Sequence, residues 1–346
     1  MKRRIVKCLS VFVLLVIFIV CAGILFPENT VITTESENVV SERILVPCGN
    51  SVGIQMDVKG ALVVGTTQDC DAQIGDMIIR VNNQRVNSPE EVAEIVSESE
   101  QTVKVEAVRD GDRIQYALTP YYDEGSSEYK LGLWIKEKIA GIGTLTFYDP
   151  RTDRFVALGH GIYEPETGTL LEVEEGKLLN TNVDQVKVGK KGEPGEIGGT
   201  IYNFEHPLGN VIKNTEFGVF CTANDDGEIN INNPMVMATP RQVKKGDAYI
   251  LTTVDGTRVE RFDIKITRVR HQRSATSKSM EFQVTDERLL AISGGIVQGM
   301  SGSPIIQNDR LVGAVTHVMV NDPTRGYGIF IVNMLEGMEQ KTKGNT

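Results

Sequence analysis

Gly294-Gly295-Ile296-Val297-Gln298-Gly299-Met300-Ser301-Gly302-Ser303-Pro304 decides how the rest of the chain is understood. A serine between Gly299 and Gly302 sits on backbone free to turn sharply, so its hydroxyl projects while the amides of Gly299 and Ser301 converge on one point. Converging amides beside a hydroxyl are what an oxyanion hole next to a nucleophile requires. Ser303 is the competing hydroxyl, but Pro304 follows it, and a residue with fixed φ and no N–H suits the start of a strand better. The plain alternative is a glycine-rich turn whose serine caps a loop.

A serine hydroxyl becomes a nucleophile when a neighbouring base takes its proton, and histidine does so near neutral pH. The chain has His160, His206, His271 and His317. His160, in Ala157-Leu158-Gly159-His160-Gly161-Ile162, ends a strand-like run between glycines that let a substrate approach, and is the expected base. His206 precedes Pro207 and His271 lies in a basic polar run, so both read as loop residues. None of the four is followed by Glu-x-x-His, so a zinc-protease helix is excluded and no metal or cofactor is expected. The glycine-flanked serine, with the hairpin Ser303–Gln307 and Leu311–Val315 after it, resembles the signature of chymotrypsin-like serine proteases, and the His-before-Ser order agrees. That resemblance puts His317 on a strand lining the substrate cleft, as a candidate for specificity.

The chain has 346 residues, 40% of them hydrophobic, which suits two folded units. A net charge of −10 lacks the basic footprint of a nucleic-acid-binding protein. Lys2, Arg3, Arg4 and Lys7 precede an uncharged run, Cys8–Phe26, that at ~1.5 Å per residue spans ~28 Å, about a bilayer core. Residues 1–26 are therefore expected to be an uncleaved signal anchor with its basic flank in the cytoplasm and the rest of the chain on the extracytoplasmic face. A cleaved signal peptide is the rival reading. Residues 27–42 read as a polar tether. Outside the anchor Cys48, Cys70 and Cys221 remain, an odd number that implies no disulfide framework.

From Arg43 the sequence turns to short strand-like runs around one helix. Ser88-Pro89-Glu90-Glu91 supplies a cap, a proline at the first helical position and a capping-box glutamate, followed by the apolar stripe Val92, Ile95 and Val96. Gln73-Ile74-Gly75-Asp76-Met77-Ile78-Ile79-Arg80-Val81-Asn82, followed by this helix, resembles the Gly-Asp-x-Ile-x-x-Val-Asn core of PDZ domains over roughly residues 40–120. A PDZ domain is placed at 43–121. PDZ domains hold a peptide's terminal carboxylate on a backbone loop while the peptide adds to a sheet edge. The resemblance puts Val52, Gly53 and Ile54 in that loop, with a simple hairpin turn as the alternative. After a polar bridge, residues 130–339 show short β-type runs separated by Gly, Asn and Asp turns and weak helical periodicity. The expected architecture is mainly β: a transmembrane anchor, a small PDZ domain with one main helix, then a chymotrypsin-like β-barrel serine protease domain.

The whole order, anchor, PDZ, Gly-His-Gly, then Gly-Met-Ser-Gly-Ser-Pro, resembles the stage IV sporulation protein B peptidases from about Arg43 to the C-terminal region. That resemblance implies a triad whose acid falls fifteen residues before the serine, at Asp286, giving His160, Asp286 and Ser301, with Glu287 and Asp153 as competing acids. It further implies a membrane-anchored endopeptidase between the forespore and mother-cell membranes that processes itself and cuts a membrane-associated regulator. The cut releases a site-2-type intramembrane protease, which activates a late sigma factor. Its partners would be that protein substrate and a peptide, or the chain itself, in the PDZ groove. The alternative function is a non-catalytic PDZ scaffold with a degenerate protease domain.

Overall fold

Two long strands, Ser51–Thr66 and Leu133–Asp149, run antiparallel and tie the chain together. At one end Ser51 pairs with Thr144 and Gly53 with Ile142. Past a bulge between Asp57 and Leu62, the pairs become Leu62 with Lys136 and Thr66 with Leu133. In this computed structural model, residues 43–339 are described apart from 68–69, 98–99, 110–111, 164–167, 169, 225–231 and 272–273. The anchor and tether expected over residues 1–42 lie outside the described residues. Among those described, no helix is long and apolar enough to cross a membrane.

The first end of the strand pair belongs to a barrel. From Leu133–Asp149 the sheet continues through Arg154–Ala157, Gly218–Ala223, Gly209–Thr215 and Val173–Lys187 and returns to Ser51–Thr66, closing six strands. Val52, Ile54, Met56, Leu145, Phe155, Leu178 and Val219 fill it. A turn after Asp149 joins the first two of these strands, with Arg154 opposite Asp149. A second barrel of six strands follows, Gly246–Thr253, Val259–Val269, Met280–Val284, Asp322–Phe330, Arg310–Met319 and Pro304–Gln307. Its alternation is plain in Phe262, Ile264 and Ile266, which point inward with Ile250, Phe282 and Ile305, because successive strand side chains face opposite ways. The Asn308-Asp309 hairpin also forms.

The PDZ unit is inserted in the first barrel rather than placed before it. It comprises the far ends of the two long strands, Met77–Val81, Gln84–Arg85, Val103–Arg109, Asp112–Leu118 and the helix Pro89–Ser97. Its core gathers Val63, Ile78, Val81, Val92, Val96, Val103 and Val105. The helix starts as expected: the Ser88 hydroxyl accepts from Glu91 N–H at 3.2 Å, and the Glu91 carboxylate accepts from Asn87 N–H at 2.7 Å. The motif aspartate has a structural reason. Asp76 is wholly buried, accepts Gln73 N–H, and is paired with the Arg109 guanidinium at 2.6 Å. A buried carboxylate without such a partner costs several kcal/mol (~3–5).

The 43–121 boundary is thereby corrected, and with it the carboxylate loop. Val52, Gly53 and Ile54 form neither a loop nor a turn. They are central barrel strand, paired on one side with Gly143, Ile142 and Gly141 and on the other with Asn180, Leu179 and Leu178. Val52 and Ile54 are buried in the barrel core. Gly53 is small because a Cβ there would come 2.6 Å from the Ile201 side chain. Cys48 and Cys221 are buried in the first barrel and Cys70 lies in the PDZ unit, all three as free thiols.

Candidate active site

The serine loop is built by its glycines and by contacts from the first barrel. Gly299 has φ 96° and Gly302 φ 99°, values that side-chain-bearing residues rarely adopt. A Cβ on Gly299 would meet Ile197 at 2.9 Å, and one on Gly302 would meet the Thr144 carbonyl oxygen at 2.0 Å. Three carbonyls of the loop are turned away and satisfied. Gly299 C=O accepts from Thr144 Oγ1 at 2.7 Å, Met300 C=O from Ser303 N–H at 3.0 Å, and Ser301 C=O from Thr144 N–H at 2.9 Å. With the carbonyls so placed, the Gly299 and Ser301 amides donate to no protein acceptor among the described residues. That is the arrangement of a preformed oxyanion hole. Ser303 is fully buried and its hydroxyl donates to Met300 C=O at 2.7 Å, so it is a structural residue.

Ser301 is partly exposed and donates its hydroxyl to Thr316 C=O at 2.7 Å. Thr316 sits at a register shift between Val315 and His317, in the strand Arg310–Met319. There the strand carries an extra residue, and bulges of this kind re-aim backbone groups beside active sites.

His160 follows the strand Arg154–Ala157 through two residues of positive φ, Leu158 at 72° and Gly159 at 70°. The buried Leu158 holds an unfavourable backbone conformation, of the kind found where a site demands it. Gly143 makes room for its side chain, since a Cβ there would lie 2.1 Å from Leu158 Cδ2. Nδ1–H of His160 donates to Gly161 C=O at 2.7 Å. Because a carbonyl only accepts, this bond places the proton on Nδ1 and leaves the Nε2 lone pair as the base. Asn214 supports the loop: its carboxamide accepts from Ile162 N–H at 2.9 Å and donates to Ile162 C=O at 2.7 Å and Leu171 C=O at 3.0 Å. A lone asparagine in a strand gives no sequence signal for such a role, and neither does Thr144.

The two barrels bring His160, Ser301 and His317 to one cavity of about 580 Å³, walled largely by apolar residues including Ile296, Val297 and Val318. The His317 ring lies against His160, with centroids 5.1 Å apart, and its buried Nδ1 has no hydrogen-bond partner among the described residues. Burial above all, then the nearby His160 and Lys278, push the His317 imidazolium down to about 4. Burial also lowers His160, against the opposing pull of the Gly161 carbonyl. Both rings are neutral at pH 7. In the unfolded chain each binds a proton near pH 6.5, so below that pH the unfolded state takes up protons the folded state refuses. Stability therefore falls as pH drops from about 6.5 towards 4. Each ring contributes at most about 1.4 kcal/mol per pH unit, less for partly exposed groups. The urea midpoint is expected to decline across this window and His317→Phe to flatten part of the decline; identical pH profiles for the parent and the variant would contradict it.

Asp286 is not brought to His160. It caps the helix Glu287–Ser293, its Oδ1 accepting from Arg288 N–H at 2.9 Å and its Oδ2 from Asp263 N–H at 3.3 Å, with the Arg288 guanidinium at 2.9 Å. Burial alone would raise its carboxyl, but the Arg288 side chain and the two amides hold it below the ordinary value. It does not line the cavity. The competing acids are also elsewhere: Asp153 accepts from Tyr148 O–H at 2.8 Å, and Glu287 is exposed in the first turn of that helix. The Gly161 carbonyl occupies the orienting place expected of a carboxylate. Asp286→Asn, which keeps a capping oxygen, is expected to leave kcat within about threefold of the parent, whereas loss of an orienting triad carboxylate costs ~10⁴. Steady-state kinetics on purified protein separate the two.

No curated protein matches the chain. Among solved structures, the PDZ domain of an SdrC-like protein from Listeria monocytogenes is 16% identical and covers 22% of this chain and 87% of its own, with a TM-score of 0.21. The active form of the Rv3671c protease from M. tuberculosis is 12% identical over 60% of this chain and 78% of its own, with a TM-score of 0.34. The HtrA-type protease AlgW with a decapeptide is 10% identical over 88% and 66%, also at 0.34. The SpoIVB peptidase S55 family matches residues 127–335, which take in the His160 loop, the serine loop, the second barrel and the first barrel apart from Ser51–Thr66. With that match over most of its length, the chain belongs to the SpoIVB peptidase S55 family and is a serine endopeptidase.

Proposed function

We propose that Ser301 is the nucleophile and His160 the general base of this peptidase, acting as a dyad whose imidazole is oriented by the Gly161 carbonyl. The observation that carries this is the convergence of Ser301, His160 and two unpartnered amides on one cavity between the barrels. Rotation of Ser301 about its Cα–Cβ bond releases Thr316 and turns the hydroxyl to His160 Nε2. Nε2 takes the proton as Oγ attacks the scissile carbonyl, and the Gly299 and Ser301 amides donate hydrogen bonds to the negatively charged oxygen that forms. The imidazolium then protonates the departing amine. Water, deprotonated by the same nitrogen, hydrolyses the acyl-enzyme and restores Ser301. His317, a neutral ring against His160 on the cavity wall, acts in substrate selection.

In the cell we assign the chain to endospore formation: tethered by residues 1–26 with its folded part on the extracytoplasmic face, processing itself and cleaving a membrane-associated regulator of a site-2-type protease. The family resemblance and the basic, then uncharged, N-terminal sequence support this reading. A fluorophosphonate probe is the direct test of the chemistry. It should modify Ser301 alone in the full chain, and modification should be lost in His160→Ala; unchanged labelling of that variant would remove His160 from the mechanism.

A further inference from the structure

The cavity holds two imidazoles where proton transfer uses one. His160 comes from the turn after Arg154–Ala157 and His317 from the strand Arg310–Met319, so each barrel supplies one ring. The Gly161 carbonyl keeps the His160 proton on Nδ1 and leaves the Nε2 lone pair open. His317 makes no hydrogen bond among the described residues, although its Nδ1 is buried. A buried nitrogen left unpaired is costly and calls for a partner. With nothing pinning the ring, rotation about Cβ–Cγ presents either of its nitrogens to His160. Two imidazoles sharing one tetrahedral zinc ion, at Zn–N of ~2.0–2.1 Å, have ring centres ~5–5.5 Å apart. The observed 5.1 Å falls in that interval, so both rings can reach one ion without movement of either barrel. The surroundings select the kind of cation. None of the described residues lining the cavity is a carboxylate, and neutral nitrogens suit zinc, whereas calcium and magnesium require oxygen ligands. No third histidine, cysteine or carboxylate joins the pair among the described residues, so water completes the coordination. Lys278, with its ammonium 5.1 Å from the centre of the Tyr327 ring, is close enough to oppose a positive ion beside His317. Two ligands and a neighbouring ammonium make a reversible site, weaker than a closed structural one.

We propose that His160 Nε2 and a ring nitrogen of His317 together form an inhibitory zinc-binding site. Coordination ties up the lone pair that would take the Ser301 proton, and the ion with its waters stands where the scissile carbonyl must enter. The cation is an inhibitor and no part of catalysis. The inhibition rests on the dyad assigned above; the binding does not.

Binding and inhibition are measured separately on the full chain. For binding, the Ser301→Ala protein, which cannot acylate, competes for Zn²⁺ with a chromophoric zinc indicator. Adding His160→Ala or His317→Phe should remove one bound zinc, with circular dichroism as the fold control; zinc uptake unchanged by both would overturn the site. For inhibition, Zn²⁺ is titrated against the rate at which a fluorophosphonate labels Ser301. A dissociation constant of about 10 µM gives a roughly elevenfold fall in rate at about 100 µM by mass action, reversed by a chelator. His317→Phe, compared with its own zinc-free rate, should need at least ten times more zinc for the same effect. His317→Cys, which restores a zinc ligand, should recover the sensitivity. Magnesium and calcium at the same concentration should do nothing. Zinc bound by the pair with labelling unaffected would overturn the inhibition alone. Inhibition undiminished in His317→Phe, or equalled by calcium, would overturn the two-histidine site. A parent whose Ser301 is not labelled even without zinc would instead count against the dyad, leaving the binding result to stand or fall by itself.

Discussion

Ser301→Ala is expected to lower kcat by about 10⁴–10⁶ with KM changed little, and His160→Ala to do nearly the same. The double variant should be no worse than either alone, because nucleophile and base act as a unit whose removal is non-additive. Neither change should unfold the protein. Ser301 makes one hydroxyl bond, to Thr316 C=O, and His160 one, to its neighbour Gly161, so thermal midpoints should stay within a few degrees of the parent. The residual rate belongs to the oxyanion hole, since the Gly299 and Ser301 amides survive both changes. Single-turnover rates on a protein substrate, with circular dichroism as the fold control, check it. A Ser301→Ala enzyme as fast as the parent would disprove nucleophilic catalysis.

Gly302→Ala is expected to be among the most damaging methyl additions near the site. At φ 99° the residue lies where alanine is strained, and the added Cβ would come 2.0 Å from Thr144 C=O and 2.6 Å from Leu158 N. Both obstacles are backbone, Thr144 in the strand Leu133–Asp149 and Leu158 in the turn before His160, and neither can swing away as a side chain could. Strain and overpacking each cost about 1–3 kcal/mol. The expected loss is about 4 kcal/mol, or roughly 10 °C of thermal midpoint at 2–4 °C per kcal/mol for a domain of this size. Activity should fall further than stability explains, by about 10² or more, because any shift that relieves the contact moves the Ser301 amide from the oxyanion. Gly168, which has φ 67° and open space around it, is the contrasting position: Gly168→Ala keeps the strain without the contact and should leave kcat unchanged. Calorimetry and kinetics on the pair separate local strain from damage to the site.

How much could be read from residues alone divides by the range of the interactions. Local rules held where a short segment satisfies itself. The capped helix at Ser88, the Asn308-Asp309 hairpin and the glycines around Ser301 each follow from the chemistry of a few neighbouring residues. His160, singled out by its glycine-flanked strand end among four histidines, lines the same cavity as Ser301. Asp286 was misplaced because spacing from the serine says nothing about direction: the segment after Val284 starts a helix, and the carboxylate is spent on that helix's first turn and on Arg288. The Val52–Ile54 assignment failed for a related reason. A glycine in an apolar run reads equally as a tight turn or as a strand with a large neighbour, and Ile201, which decides the matter, is far away in sequence.

Sequence by itself determined the mainly β, two-barrel class and singled out the glycine-flanked Ser301 loop, because such a loop is local backbone geometry and strand alternation is written in every second residue. Only the tertiary structure decided that the PDZ unit interrupts a barrel and shares its two long strands, and that His160 Nδ1–H meets the Gly161 carbonyl rather than a carboxylate. Each of these is a choice of partner by a group that has several equally good ones in sequence. Ladder register across some eighty residues and burial by distant side chains make that choice, and no local pattern records it.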